Sequence, residues 1–216
     1  PYATRGFLWY QGESITAPRE LFPRFNEALV RDWRVLWNDD SLPFFFCQLA
    51  ALRANSNSPE VRSWQAEALS IPHTGMVTTI DIGDERDVHP HNKQDVGARL
   101  VRLALVQAYG RDVVYSGPVP ASARAEGAAL RLIFNHLGGG LVARNGPLQT
   151  FEIAGVDGNF VPATAAIEGD SVVVRSPEVS MPVAARYAWS NYPEGVNFYN
   201  AGGLPAAPFQ IQARQP

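Results

Sequence analysis

Residues 81–93, Asp81-Ile82-Gly83-Asp84-Glu85-Arg86-Asp87-Val88-His89-Pro90-His91-Asn92-Lys93, set two histidines among four acidic residues. An imidazole beside a carboxylate suits nucleophilic catalysis. The ring takes a proton from a hydroxyl, while the carboxylate fixes its tautomer and stabilises the imidazolium. His89, with Asp87 two residues before it and Pro90 after it, is the better base; His91 is expected to face solvent. Solvated acidic turns have the same Asp-x-His spacing, so the spacing alone does not fix catalysis. A second polar cluster is Gln11-Gly12-Glu13-Ser14. There Gln11 could donate to a developing oxyanion, Gly12 lets the backbone come close, and Glu13 orients its neighbours. Polar residues also simply cap a strand end. Paired carboxylates of the glycosidase kind are a further use, which nothing in the spacing favours.

Both clusters follow apolar runs, the pattern of a parallel sheet whose sites lie at the carboxyl ends of its strands. Strands are expected at residues 6–10, 44–49, 75–80 and 113–115. Helices are expected at 20–37, 59–70 and 93–109. The first helix would bury a stripe of Phe22, Phe25, Leu29, Trp33 and Trp37. Past Gly117-Pro118-Val119-Pro120 the helical stripes stop. Short strands such as 130–134 and 171–175 alternate with turns at Gly138-Gly139-Gly140, Asn145-Gly146, Asp157-Gly158 and Gly169-Asp170. The expectation is an α/β parallel-sheet domain over 1–118, followed by an all-β antiparallel sandwich over 119–216.

The chain has 216 residues, 46% of them hydrophobic and 18% charged, enough for one good core or two modest ones. A net charge of -3 gives no basic footprint, so no nucleic-acid partner is expected. No apolar run reaches the roughly 20 residues of a membrane span, so no membrane partner is expected either. Cys47, the one cysteine, lies in Pro43-Phe44-Phe45-Phe46-Cys47 and reads as a core thiol. One cysteine and four histidines make no zinc site, and no cofactor is expected.

Several strings together resemble the sialate O-acetylesterase family of SGNH-type hydrolases. They are Trp9-Tyr10-Gln11-Gly12-Glu13-Ser14, Arg31-Asp32-Trp33-Arg34, Asp81-Ile82-Gly83-Asp84 with Asp87-Val88-His89-Pro90, and Val96-Gly97-Ala98-Arg99-Leu100. Phe151-Glu152-Ile153-Ala154-Gly155, Arg186-Tyr187-Ala188-Trp189 and Asn197-Phe198-Tyr199-Asn200 extend the likeness into the second half. The resemblance implies the C-terminal part of an SGNH-type, flavodoxin-like hydrolase domain and an accessory β-sandwich. It implies a cofactor-free serine esterase that releases acetate from O-acetylated sugars, either sialate or plant cell-wall polysaccharide such as xyloglucan or xylan. His89 would be the base and Asp87 its acid. Many SGNH enzymes place that aspartate one residue earlier, where Arg86 stands, and Asp84 is the reserve. Gln11, Gly12 and Glu13 would line the oxyanion and substrate site, and Ile15 replaces an asparagine common among relatives. The nucleophilic serine is expected in an N-terminal part of the same enzyme, ahead of Trp9. The resemblance also implies a periplasmic or secreted protein. The alternative expectation is a carbohydrate-binding or scaffold fragment without independent catalysis, with Tyr192, Phe198 or Tyr199 lining a groove.

Overall fold

The computed structural model describes residues 3–13, 21–54 and 58–214. Ser14, Ile15 and Glu20 lie outside the described residues. The chain forms two compact units, 1–115 and 116–216.

The first unit is a parallel sheet of three strands in the order β1-β2-β3: Phe7–Trp9, Phe44–Cys47 and Thr74–Val77. Phe7 pairs with Phe44, and Phe44 with Thr74. Alternate side chains of a strand point to opposite faces, and here each face meets helix. Phe44 and Phe46 of β2 join Phe7, Val30 and Leu42 in one cluster, beside Trp9, Leu29 and Trp33. Phe45 and Cys47 join Val77, Val96, Leu100 and Leu103 in the other. The helices are α1 (Phe22–Trp37), α2 (Ser58–Glu67), which runs on into a 3-10 turn at Ala68–Ser70, and α3 (Lys93–Gln107).

Two expectations fail here. The α1 stripe is rotated: Phe25 and Trp37 are 58% and 45% exposed, while Val30 and Arg34 are buried. Arg34 belongs inside because its guanidinium has carbonyls to bind. Nε donates to Leu42 O at 3.0 Å and Nη2 to Pro72 O at 2.8 Å. A long cation with its donors satisfied fits at a position where apolar periodicity alone would not put it. Residues 113–115 form no strand; Val113 and Val114 are partly exposed and run outside the sheet.

Among the described residues the second unit has ten strands. One four-stranded antiparallel sheet has the order β4-β5-β10-β9, from Val119–Glu126, Ala129–Asn135, Ser171–Arg175 and Thr164–Glu168. The other has the order β13-β11-β7-β8, from Phe209–Gln212, Ala184–Tyr187, Phe151–Ala154 and Phe160–Pro162. β12 (Phe198–Asn200) pairs with β6 (Leu141–Ala143). Phe134 of β5 meets Phe198 and Phe209 edge-on at 5.0 and 5.7 Å, so the aromatic core joins the sheets as in a sandwich. Phe198 is fully buried and Tyr199 is 6% exposed, so neither can line a binding groove; their side chains belong to the core. Asn200 explains why that segment is fixed. Its Nδ2 donates to Ser116 O and His136 O, both at 2.8 Å, and its Oδ1 accepts from Leu204 N.

Candidate active site

The last backbone bond of the chain leaving β2 to the sheet is Gln48 N–H to Val77 O at 2.9 Å, and beyond it side chains take over its backbone. Gln65 of α2 accepts from Leu49 N at 2.8 Å, and Arg62 Nε donates to Leu49 O at 2.9 Å. Arg62 Nη2 donates to Ala50 O at 3.0 Å. Gln48 Nε2 donates to Arg62 O, and the Thr79 hydroxyl donates to Gln48 O. Arg62 and Gln48 are fully buried, and burial pulls the guanidinium down to about 10. Sequence reasoning missed this network. The available signal was a set of polar residues, Gln48, Arg62 and Gln65, in segments otherwise expected to be buried.

The network sets the floor on which the loop after β3 rests. Gly83 sits so close to that floor that an added Cβ would fall 2.2 Å from Ala51 O and 2.5 Å from Ala51 N. Arg53 N–H donates to Glu85 O at 3.2 Å, and its Nε meets Glu85 Oε1 at 2.6 Å. At the loop's start Asp81 is clamped by Arg99 of α3. The two bonds, Nη1–Oδ1 and Nη2–Oδ2, are both 2.7 Å, and Nη1 also donates to Thr78 O. At its end Asn92 caps α3, accepting from Asp95 N at 3.1 Å.

Between these anchors the loop turns twice on aspartates. Asp84 Oδ1 accepts from the backbone N–H of Arg86 and Asp87 at 2.8 and 3.0 Å. Asp87 Oδ1 accepts from His89 N–H at 2.8 Å and lies 3.2 Å from His89 Nδ1. The backbone N–H bonds hold both carboxyls below the usual carboxylate range. A proton on Nδ1 then donates to Asp87 and leaves Nε2 as the accepting nitrogen. The His89 side chain is 81% exposed, so Nε2 is open to a reactant. His91 is also exposed, with Nε2 3.9 Å from Asp87 Oδ2 and 4.0 Å from Asp84 Oδ2.

The loop thus brings Asp87 and His89 together, and Asp84 instead shapes the turn that presents them. Gln11, Gly12 and Glu13 follow β1, at the same end of the sheet but separated from the loop by β2. Gln11 is exposed and borders a cavity of about 20 Å³ beside Asn26 and Gln65. Gly12 is buried with φ 146°, a backbone that suits glycine. Among the described residues none of the three hydrogen-bonds His89. Tyr10 links the clusters instead: Lys93 Nζ stands 5.1 Å from the centre of its ring. Burial pushes the Tyr10 hydroxyl up to about 12, outweighing nearby Thr79, which favours the phenolate but is not in hydrogen-bonding geometry with it. No serine hydroxyl among the described residues bonds His89, and no group of three or more His, Cys, Asp or Glu among them could hold a metal ion. No helix among them is long and apolar enough to cross a membrane.

Residues 2–106, which include both clusters, match the model of a family described as carbohydrate esterase, sialic acid-specific acetylesterase. That stretch belongs to this carbohydrate esterase family. The solved structure of a carbohydrate acetylesterase from Xanthomonas citri is similar to 98% of the chain, at 40% identity and a TM-score of 0.91. The match takes in 51% of that protein, so the chain spans about half the length of this solved relative. No curated protein matches the chain. Within the matched stretch the loop after β3 is anchored at both ends. Asp81 and Arg99 fix where the loop leaves the sheet, and Asp87 and His89 stand exposed on it.

Proposed function

We propose that this chain supplies the base, its acid partner and part of the oxyanion site of a serine carbohydrate O-acetylesterase. The observation that carries the reading is the Asp87–His89 pair, 3.2 Å apart, at the carboxyl end of a parallel strand and with Nε2 open. His89 Nε2 takes the proton of a serine hydroxyl as its oxygen attacks the acetyl carbonyl. The C–O bond to the sugar breaks, and the imidazolium returns the proton to the leaving sugar oxygen. His89 then deprotonates water, which attacks the acetyl-enzyme, releases acetate and restores the serine. Asp87, ionised at neutral pH, stabilises the imidazolium; Asp84 holds the turn. Gln11 and Gly12, with Glu13 behind them, face the developing oxyanion. The substrate is an O-acetylated sugar, sialate or a plant cell-wall polysaccharide such as xyloglucan or xylan, met in the periplasm or outside the cell.

The attacking serine belongs to a preceding part of the same enzyme. Support comes from β1, which pairs on one side with no strand among the described residues, and from Leu8, 61% exposed; a further strand would cover that edge and apolar surface. The chain by itself then folds without turning over substrate. Labelling the protein with a serine-reactive organophosphorus probe and mapping the adduct by peptide mass tests this. An adduct on a preceding segment or a co-purifying polypeptide is expected. An adduct on a serine within residues 3–214 would overturn the assignment.

A further inference from the structure

A cavity of about 410 Å³ opens in the second unit, where β7 begins and β8 and β11 end. Its volume lies within the roughly 300–1,000 Å³ of small-molecule sites. Trp189, half-buried, lines it together with Gln149, Thr150, Glu152, Ser190 and Glu194. Three observations single it out. Thr150 and Ala188 are non-glycine residues in left-handed backbone, at φ 62° and 52°, and Ala188 N–H donates to Thr150 O at 3.0 Å. A β-branched residue in that region is an outlier, and such strain collects where ligands bind. The Thr150 hydroxyl is buried without a hydrogen-bond partner among the described residues. Finally, no Lys, Arg or His among the described residues lines the cavity. Glu152 is already matched by Arg186, Nε–Oε2 at 2.7 Å and Nη2–Oε1 at 3.0 Å, and Arg186 in turn rests over Phe160 at 4.2 Å.

We propose that this cavity binds an uncharged saccharide, with a sugar ring against Trp189 and its hydroxyls bonded to the amide, hydroxyl and carboxylate groups of the rim. The indole offers an apolar face to the C–H side of a ring, which needs no charge. Carboxylates accept from sugar hydroxyls and amides both accept and donate; with Glu152 matched by Arg186 and no lining cation among the described residues, nothing there is built to pair with an anionic sugar. The site is independent of the esterase reading, since every residue in it belongs to the second unit. It would hold a neutral glycan whether or not His89 acts as a base.

Trp189 is the sole tryptophan after residue 115, so its emission can report on the site. The whole chain is titrated with short neutral xylan-, glucan- and mannan-derived oligosaccharides, and with pectin-derived and sialylated acidic ones. Tryptophan fluorescence and calorimetry are the readouts. At least one neutral oligosaccharide is expected to bind. Trp189→Ala should weaken it about tenfold or more, and Glu194→Gln, at the exposed rim, several-fold with the fold intact. His89→Ala should bind as the parent does, which keeps a failed esterase assignment distinguishable from a failed sugar site. Three outcomes would overturn the proposal: no neutral oligosaccharide binding at millimolar concentration, binding indifferent to both cavity substitutions, or a preference for the acidic saccharides.

Discussion

Asp81 and Asp87 stand in one loop, and each meets a basic side chain, yet the two pairs are built for different purposes. Asp81 and Arg99 are joined by two bonds of 2.7 Å, with side chains only 8% and 7% exposed. Asp87 and His89 share one contact of 3.2 Å, with side chains 45% and 81% exposed. Arginine stays charged at any working pH and binds a carboxylate through a planar fork, so the first pair fixes geometry. Histidine gains and loses a proton near neutrality, so the second can do chemistry only if something else fixes its geometry. The buried pair is the mount on which the exposed pair is carried.

Breaking the exposed pair should leave the mount standing. In an enzyme that contains the nucleophile, His89→Ala is expected to abolish acetate release. Asp87→Asn should lower kcat by a factor on the order of 10⁴, the scale for a triad whose acid is made neutral. Thermal unfolding should change little in either variant, because neither side chain is buried. Acetate release and a melting curve on the same preparations check both statements; retained activity in His89→Ala would remove the base from its role.

The reverse substitution sharpens the comparison. Arg99→Leu strands Asp81 in a buried position, and losing one partner of such a pair costs about 3–5 kcal/mol. Denaturant unfolding should show that loss, with activity falling as a consequence of a displaced loop. A variant of unchanged stability would mean that the pair does not hold the loop.

How far the chain's architecture was legible beforehand follows from the same distinction. The sheet, its three helices and the change to antiparallel strands were readable, because runs such as 44–47 and alternations such as 171–175 record which faces are buried. The loop and its Asp87–His89 spacing were readable because local turns depend on neighbours in sequence. The Gln48–Arg62–Gln65 network, the burial of Arg34 and the Asp81–Arg99 clamp were not: each joins residues 8 to 39 positions apart through carbonyls or carboxylates that no periodicity marks. Residues 113–115 looked like a strand from their valines alone, but a strand also needs a neighbour to pair with.

Asp84→Asn probes the turn between the two pairs. Its carboxylate accepts two backbone N–H bonds, which hold it below the usual range. That contribution is present above the ordinary aspartate value of about 3.9 and is lost as pH falls through the lowered folded value. An amide keeps one acceptor oxygen, so the substitution should reduce kcat by less than about tenfold, far less than Asp87→Asn. A loss equal to that of Asp87→Asn would make Asp84 the acid partner instead.

Cys47 extends the series to a group with no exposure at all, and it should show the smallest effect of any. It is 0% exposed, between Val77 and the leucines of α3, and burial pushes its thiol up to about 12. Lys93 and Arg99 pull the other way, but desolvation outweighs both charges. At pH 8 the thiol of the folded chain is therefore protonated and enclosed, and a disulfide reagent should label it only through the unfolded fraction. An ordinary cysteine ionises near 8.5, so the unfolded chain releases this proton first. Stability is full below that value and declines as pH rises from there toward about 12. Labelling at pH 8 should start only as denaturant unfolds the first unit. Prompt labelling of the native protein would show that the face of the sheet under α3 opens to solvent, and the mount beneath the exposed pair would then be less rigid than its bond lengths imply.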